Sequence, residues 1–335
     1  SDWIYTASSE ITLQDRPDGT WYIHVKSKDA AGNISKGTSH FRFNIDTVAL
    51  PPNISSATHP DPQKWYNSKK AQFKISPPED MSGVFGYLYV VDENEKAVPD
   101  ENASWTDKDT IFTGDLHDGT WYLHVVTKDK AGNIGKNASH YRINIDTMAK
   151  PPLVYSKTHS DQESWYSNSI PEMHWDTPED LSGIEGYYYC FDQKHNTVPA
   201  RETGEWTTAN QVTLPQLQDG IWYFHIISKD NAGNTGWEAS HYRIKIDTLV
   251  EQPKIVSSTH PEESRWYSSP TVKLSWTVPQ DLSKIKCFHY VFSKEKYLKI
   301  PVEAAQKTDK REIEINIQEE GTYYFHIIAE DNAGN

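Results

Sequence analysis

Cysteine is almost absent, with only Cys190 and Cys287 among 335 residues. The two occupy non-equivalent places in separate stretches, so no disulfide is expected and cysteine usage does not point to a redox compartment. Basic residues are in the minority, 33 Lys and Arg against 47 Asp and Glu, for a net charge of −14. Nucleic-acid binders carry a basic face, so that class of partner is not expected. No apolar run approaches the roughly 18 residues of a membrane span, and no signal-type segment occurs in this stretch. The sequence lacks GxSxG, HExxH, a P-loop, GxGxxG, CxxCH and a calcium loop of EF-hand type. Each of these would have carried a definite chemistry.

Aromatics are abundant instead, with 12 Trp and 19 Tyr, and this excludes a disordered acidic tail. They recur with a long period. DGTWYIHVKSKDAAGN at 18–33 returns as DGTWYLHVVTKDKAGN at 118–133, DGIWYFHIISKDNAGN at 219–234 and EGTYYFHIIAEDNAGN at 320–335. SHFRFNIDT at 39–47 returns at 139–147 and 240–248, and PEDMSG at 78–83 returns as PEDLSG at 178–183 and PQDLSK at 279–284. The step is 100 or 101 residues. Solenoid units are about 20–50 residues long, so this period marks whole domains. The frame predicts a C-terminal half-repeat at 1–50, full repeats at 51–150 and 151–250, and a repeat lacking its last strand at 251–335. The chain reads as an excerpt of a longer array.

Within the first copy Trp21, Ile23, Val25 and Ser27 alternate with Tyr22, His24, Lys26 and Lys28, a strand pattern with one buried face. AGN closes it with a hairpin-type turn whose glycines Gly32, Gly132, Gly233 and Gly334 are expected at positive φ. The FRFNID, YRINID and YRIKID segments supply the partner strand. Further short strands are expected in the second repeat near 53–57, 71–76, 86–91 and 110–113, with Trp175 and Trp276 in the cores of later repeats. Six or seven short strands per repeat with turns between them predict an all-β fold of tandem antiparallel β-sandwiches.

The combination (D/E)G-x-(W/Y)-Y-x-H-(V/I), D-x-AGN, WYS, P-x-D-x-SG and IDT resembles bacterial and archaeal immunoglobulin-like or fibronectin type III-like repeats. It spans essentially the whole chain and departs from the pattern at Ser283-Lys284 and Glu320. The resemblance implies tandem sandwiches of secreted, cell-surface or periplasmic proteins. It does not imply one function, because one fold hosts many.

The linkers IDTVALPP and IDTMAKPP are short and carry two prolines, which stiffen the backbone. An extended array follows, spanning on the order of 100 Å or more from strand dimensions. The leading expectation is therefore a non-enzymatic spacer or adhesive array, part of a surface or filamentous assembly. Its partners would be other domains of the same chain, protein partners or surface glycans. The alternative is a glycan- or ligand-binding module. Tyr87, Tyr89, Tyr187, Tyr189 and Tyr290 would then share an exposed strip with Tyr22, Tyr122, Tyr223 and Tyr324, flanked by His and Trp.

Two polar sets invite a metal. Ten of the 14 histidines fall in the series His24/124/225/326, His40/140/241 and His59/159/260. No HxH pair occurs, and cross-strand packing of Tyr and His accounts for the first two series without zinc. The acidic set is placed by topology, because in a fibronectin-like sandwich the IDT end of one repeat faces one pole of the next. Asp46 is expected near Glu79, Asp80, Asp129 and Asn133. Asp146 is expected near Glu179, Asp180, Asp230 and Asn234, and Asp247 near Asp281, Asp331 and Asn335. Such oxygen sets suit Ca²⁺. The plainer account is that these side chains cap their own turns.

Overall fold

A computed structural model describes residues 3–335. Two compact units make up the chain, Ser1–Thr147 and Met148–Asn335. All regular structure among the described residues is β-strand.

The first unit opens with a two-stranded ribbon, β1 (Gly19–Val25) and β2 (Ser39–Ile45). A sandwich follows. Its three-stranded sheet comprises β3 (Asn53–Ser56), β5 (Gln72–Ser76) and β8 (Thr110–Phe112). The facing sheet has the order β4 (Trp65–Tyr66), β10 (Ser139–Ile145), β9 (Gly119–Asp129), β6 (Val84–Asp92) and β7 (Ser104–Thr106). Pairing is antiparallel except between β4 and β10.

The second unit repeats this plan twice. One three-stranded sheet contains β11 (Leu153–Ser156), β12 (Glu172–Asp176) and β15 (Gln211–Thr213). Opposite it run β14 (Glu205–Thr207), β13 (Ile184–Asp192), β16 (Gly220–Asp230) and β17 (Ser240–Ile246) in that order. The last sandwich pairs β18 (Ile255–Ser257), β19 (Thr271–Trp276) and β22 (Glu312–Asn316). Its second sheet is β21 (Gln306–Thr308), β20 (Ile285–Ser293) and β23 (Tyr324–Asp331).

Alternation builds each core. Phe73, Ile75, Leu123, Val125, Ile143 and Ile145 meet between the sheets of the first sandwich, all at most 1% exposed. Trp175 replaces Ile75 in the second core and Trp276 takes the same place in the third, as their residue types predict. The third core is smaller, with four buried residues where the other two have eleven each.

Three expectations need correction. The strand β9 is buried on both faces at its centre, since His124 and Val126 are fully covered as well as Leu123 and Val125. Asp92, at the end of the neighbouring strand β6, reaches the His124 ring. The AGN turn does not lead straight into its partner strand. Ile134 makes one bridge to Lys128, and pairing resumes only at Ser139 opposite Val125.

The third correction takes five of the nine tyrosines out of the proposed strip, leaving Tyr22 exposed and Tyr122, Tyr223 and Tyr324 half-buried. Tyr87, Tyr187 and Tyr189 are buried, and the half-buried Tyr89 and Tyr290 pack against their cores. A register shift between Val84 and Gly86 lets Val84, Tyr87 and Tyr89 all face inward, and the same shift occurs between Ile184 and Gly186. Such a bulge re-aims every residue after it.

Candidate functional site

The D-x-AGN turns are built by one carboxylate each. Asp129 Oδ1 accepts the Asn133 amide at 2.8 Å, while its Oδ2 accepts Asn133 Nδ2 at 2.7 Å. Gly132 completes the turn at φ +96°, and Gly32, Gly233 and Gly334 lie at +91° to +92° as expected. A side chain at Gly132 would meet nothing within 4 Å, so only backbone geometry demands glycine there.

This turn also receives the end of the preceding repeat. Asn133 Nδ2 donates to the Asp46 carbonyl at 2.9 Å, and the Ser82 amide donates to Asp46 Oδ2 at 2.9 Å. Asp80 Oδ1 in turn accepts from the amides of Ser82 and Gly83. Within the second unit the pattern recurs. Asn335 Nδ2 donates to the Asp247 carbonyl at 2.7 Å and to Asp331 Oδ2 at 2.7 Å. The Ser283 amide donates to Asp247 Oδ2 at 2.9 Å.

The carboxylates converge at both places. One oxygen each from Asp46, Asp80 and Asp129 lies within 4.8 Å of the others, and the same holds for Asp247, Asp281 and Asp331. Asp129, Asp247 and Asp331 are buried. Hydrogen bonds from Ser82 hold the Asp46 carboxyl below its usual range. Burial, and then the charges of Asp247 and Asp331, push Asp281 upward. Among these residues Asp80 Oδ2 is enclosed with no hydrogen-bond partner.

Glu79 stays exposed outside the first trio, which corrects its expected place. Asp146 is buried in the first unit, where its amide donates to the Tyr66 carbonyl. In the second unit Asp180 accepts from Ser182, Asp230 holds Asn234 as Asp129 holds Asn133, and Glu179 is exposed. Every one of these turns is capped by its own Asp, so capping is an observed role of the acidic set.

The histidines of the recurring series pack against neighbouring rings. His124 and His140 lie opposite each other across β9 and β10 with their Nδ1 atoms 2.6 Å apart, and Tyr122 stacks on His124. His225, His241 and Tyr223 repeat the arrangement. His59 is enclosed, with Nε2 3.1 Å from the Ser68 carbonyl and its ring against Tyr66. Tyr141 Oη donates to the His59 carbonyl at 2.6 Å, so this histidine anchors a loop to the sheet.

No family model matches the sequence, and no curated protein matches it. Solved structures with a similar arrangement include fibronectin(III)-like modules of Clostridium thermocellum CbhA, at 10% identity and a TM-score of 0.30. That match covers 58% of this chain and 94% of the other. The FN1–FN3 domains of chicken CNTN1 match at 12% identity and a TM-score of 0.28, over 86% of this chain and 95% of theirs. The fold assignment rests on the strand pairing itself: these are tandem antiparallel β-sandwiches.

Proposed function

We propose that the chain is a structural or adhesive array of immunoglobulin-like repeats within a larger extracytoplasmic protein. It is not an enzyme in this reading, and its partners are neighbouring domains of the same chain together with proteins or glycans at a cell surface. The observation that carries the reading is the Asn-to-carbonyl clamp, Asn133 on Asp46 and Asn335 on Asp247. A conserved arrangement of catalytic groups would be needed once, whereas a device for fixing successive repeats is needed at every joint. The glycan-binding alternative loses part of its support, since Tyr87, Tyr89, Tyr187, Tyr189 and Tyr290 pack into the cores and leave only Tyr22, Tyr122, Tyr223 and Tyr324 outside them. Small-angle scattering on the whole chain tests the array. A maximum dimension above about 100 Å, as strand lengths imply, is expected; a compact globule would overturn the proposal.

Calcium is the proposed ligand of the converged carboxylates. The bacterial and archaeal repeats that the sequence resembles are the proposed relatives. Three carboxylates within 4.8 Å repel one another, and a divalent cation taking six to eight oxygens at about 2.3–2.6 Å would neutralise them. Calorimetry of the full chain, with and without Asp247→Ala, measures this. Binding of Ca²⁺ with a raised unfolding temperature, both reduced in the variant, is expected. If Ca²⁺ leaves the unmutated chain unchanged, the carboxylates serve only as turn caps.

A further inference from the structure

The last sandwich differs from its neighbours at one patch on the outer face of its β20–β23 sheet. In the first sandwich Gly86 lies opposite Lys128, and Leu88 lies opposite Trp105. The second has Gly186 opposite Lys229, and Tyr188 opposite Trp206. There the indole covers the glycine so closely that a Cβ at Gly86 would sit 2.3 Å from Trp105, and one at Gly186 would sit 2.5 Å from Trp206. In the third sandwich all four positions have changed together. Cys287 pairs with Glu330, and His289 pairs with Lys307. Removing the tryptophan makes room for a side chain at 287, and three of the four new residues, Cys287, His289 and Glu330, are metal-ligand types.

Their atoms meet at one point. Cys287 Sγ is 3.5 Å from His289 Nε2 and 3.2 Å from Glu330 Oε2, and Nε2 is 2.6 Å from Oε2. Cys287 and His289 are buried, while Glu330 is half-buried and opens towards solvent. A thiolate–imidazole relay would use the two ring nitrogens for different partners. Here the same nitrogen faces both thiol and carboxylate, and Nδ1 is enclosed with no partner. Convergence on one point is the geometry of a shared cation. A tetrahedral zinc at about 2.0–2.3 Å from N, O and S ligands would set them roughly 3.4–3.6 Å apart. Two of the three distances are within a few tenths of an ångström of that, and Glu330, whose side chain is 23% exposed, can swing to widen the third.

We propose that Cys287, His289 and Glu330 form a zinc site on the last sandwich, with its fourth position left to water. On binding, Sγ gives its proton to solvent and becomes the thiolate ligand, and Nε2 and Oε2 bind as lone-pair donors. Lys286 Nζ now holds Glu330 Oε1 at 2.5 Å, and Lys307 Nζ lies 3.7 Å from Oε2. Both lysine side chains are at least half exposed and can turn to water, leaving Glu330 to the metal. The ion would tie β20 to β23 in the sandwich with the smallest core.

Titration of the reduced full chain with Co²⁺, followed by Zn²⁺, tests the site. The expected result is a thiolate-to-cobalt charge-transfer band that saturates at one equivalent and is displaced by Zn²⁺. Cys190→Ser should keep the band, Cys287→Ser should lose it, and His289→Gln should weaken Zn²⁺ binding by about tenfold or more. A wild-type chain without the band overturns the site whatever the variants do. So does a band that follows Cys190, or one that persists in Cys287→Ser.

Discussion

A backbone that must turn left-handed selects glycine, and one of the repeated turns ignores the demand. Lys284 lies at φ +71°, where the equivalent residues Gly83 and Gly183 lie at +86° and +81°. The local hydrogen bond is preserved, since the Asn332 amide reaches the Lys284 carbonyl at 3.0 Å just as that of Asn231 reaches Gly183 at 2.9 Å. The strain of the side chain, about 1–2 kcal/mol for a non-glycine residue, is therefore carried by the last sandwich. Glycine would relieve it but regain freedom in the unfolded chain. Lys284→Gly is expected to stabilise that sandwich by about 0.5–1 kcal/mol. The converse change, Gly132→Val, is expected to destabilise the first sandwich by about 1 kcal/mol or more. Denaturant unfolding of the two variants checks both signs, and shifts in the same direction would contradict the turn geometry.

At the level of strands, the paired imidazoles of β9–β10 and β16–β17 set a pH response. Burial, and then the facing His124, lower the His140 pKa, with Glu95 opposing. Burial also lowers His225, against the pull of Asp192, and burial with His225 and His195 lowers His241. His59 and His159 are lowered by burial as well. A histidine lowered on folding binds its proton more readily in the unfolded chain, so acid favours unfolding. Its contribution is complete above the ordinary value of 6.5 and declines as pH falls below that towards the lowered folded values. The unfolding temperature should drop from pH 7 to pH 5, and His140→Gln should make the drop shallower. A temperature that stays flat over this range would mean that His140, His225 and His241 are not lowered on folding.

Much of this level was legible from residue order. The Trp, Leu, Val and Thr series of β9 and the turn glycines follow from repeat spacing and alternation, while the acidic trios around Asp46 and Asp247 are placed by the topology expected of a fibronectin-like sandwich. The tyrosines of β6 and β13 were misplaced because a bulge changes the phase of alternation without leaving a residue-type signature. Alternation also could not show that residues beyond a strand would cover the outward-facing His124. The Cys287 group escaped notice for another reason. Its members are spread from 287 to 330, and each alone is unremarkable. The signal was the joint departure of positions 287, 289, 307 and 330 from what the earlier repeats hold there.

Over the whole molecule, stability is set unevenly. The sandwiches centred on Phe73 and Trp175 each enclose eleven buried core residues, three of them from β10 or β17, and the one centred on Trp276, described without a counterpart of that strand, encloses four. Apolar burial scales with that difference, so unfolding should proceed in more than one step. Hydrogen exchange should find the amides of β20 and β23 opening before those of β9 and β16. Simultaneous exchange in all three sandwiches would show that neighbouring repeats share one cooperative unit.

The clamp has a consequence for how such a chain changes length over generations. Its two halves lie 87 and 88 residues apart at the two described joints, the carbonyl closing one repeat and the amide side chain belonging to the next. One full-length copy thus supplies a donor, Asn133, and the other an acceptor, the Asp247 carbonyl. Recombination that inserts or deletes one whole copy in frame would bring a donor against an acceptor at every new boundary. Copy number can then drift, and with it the reach of the protein, while no joint has to be invented afresh.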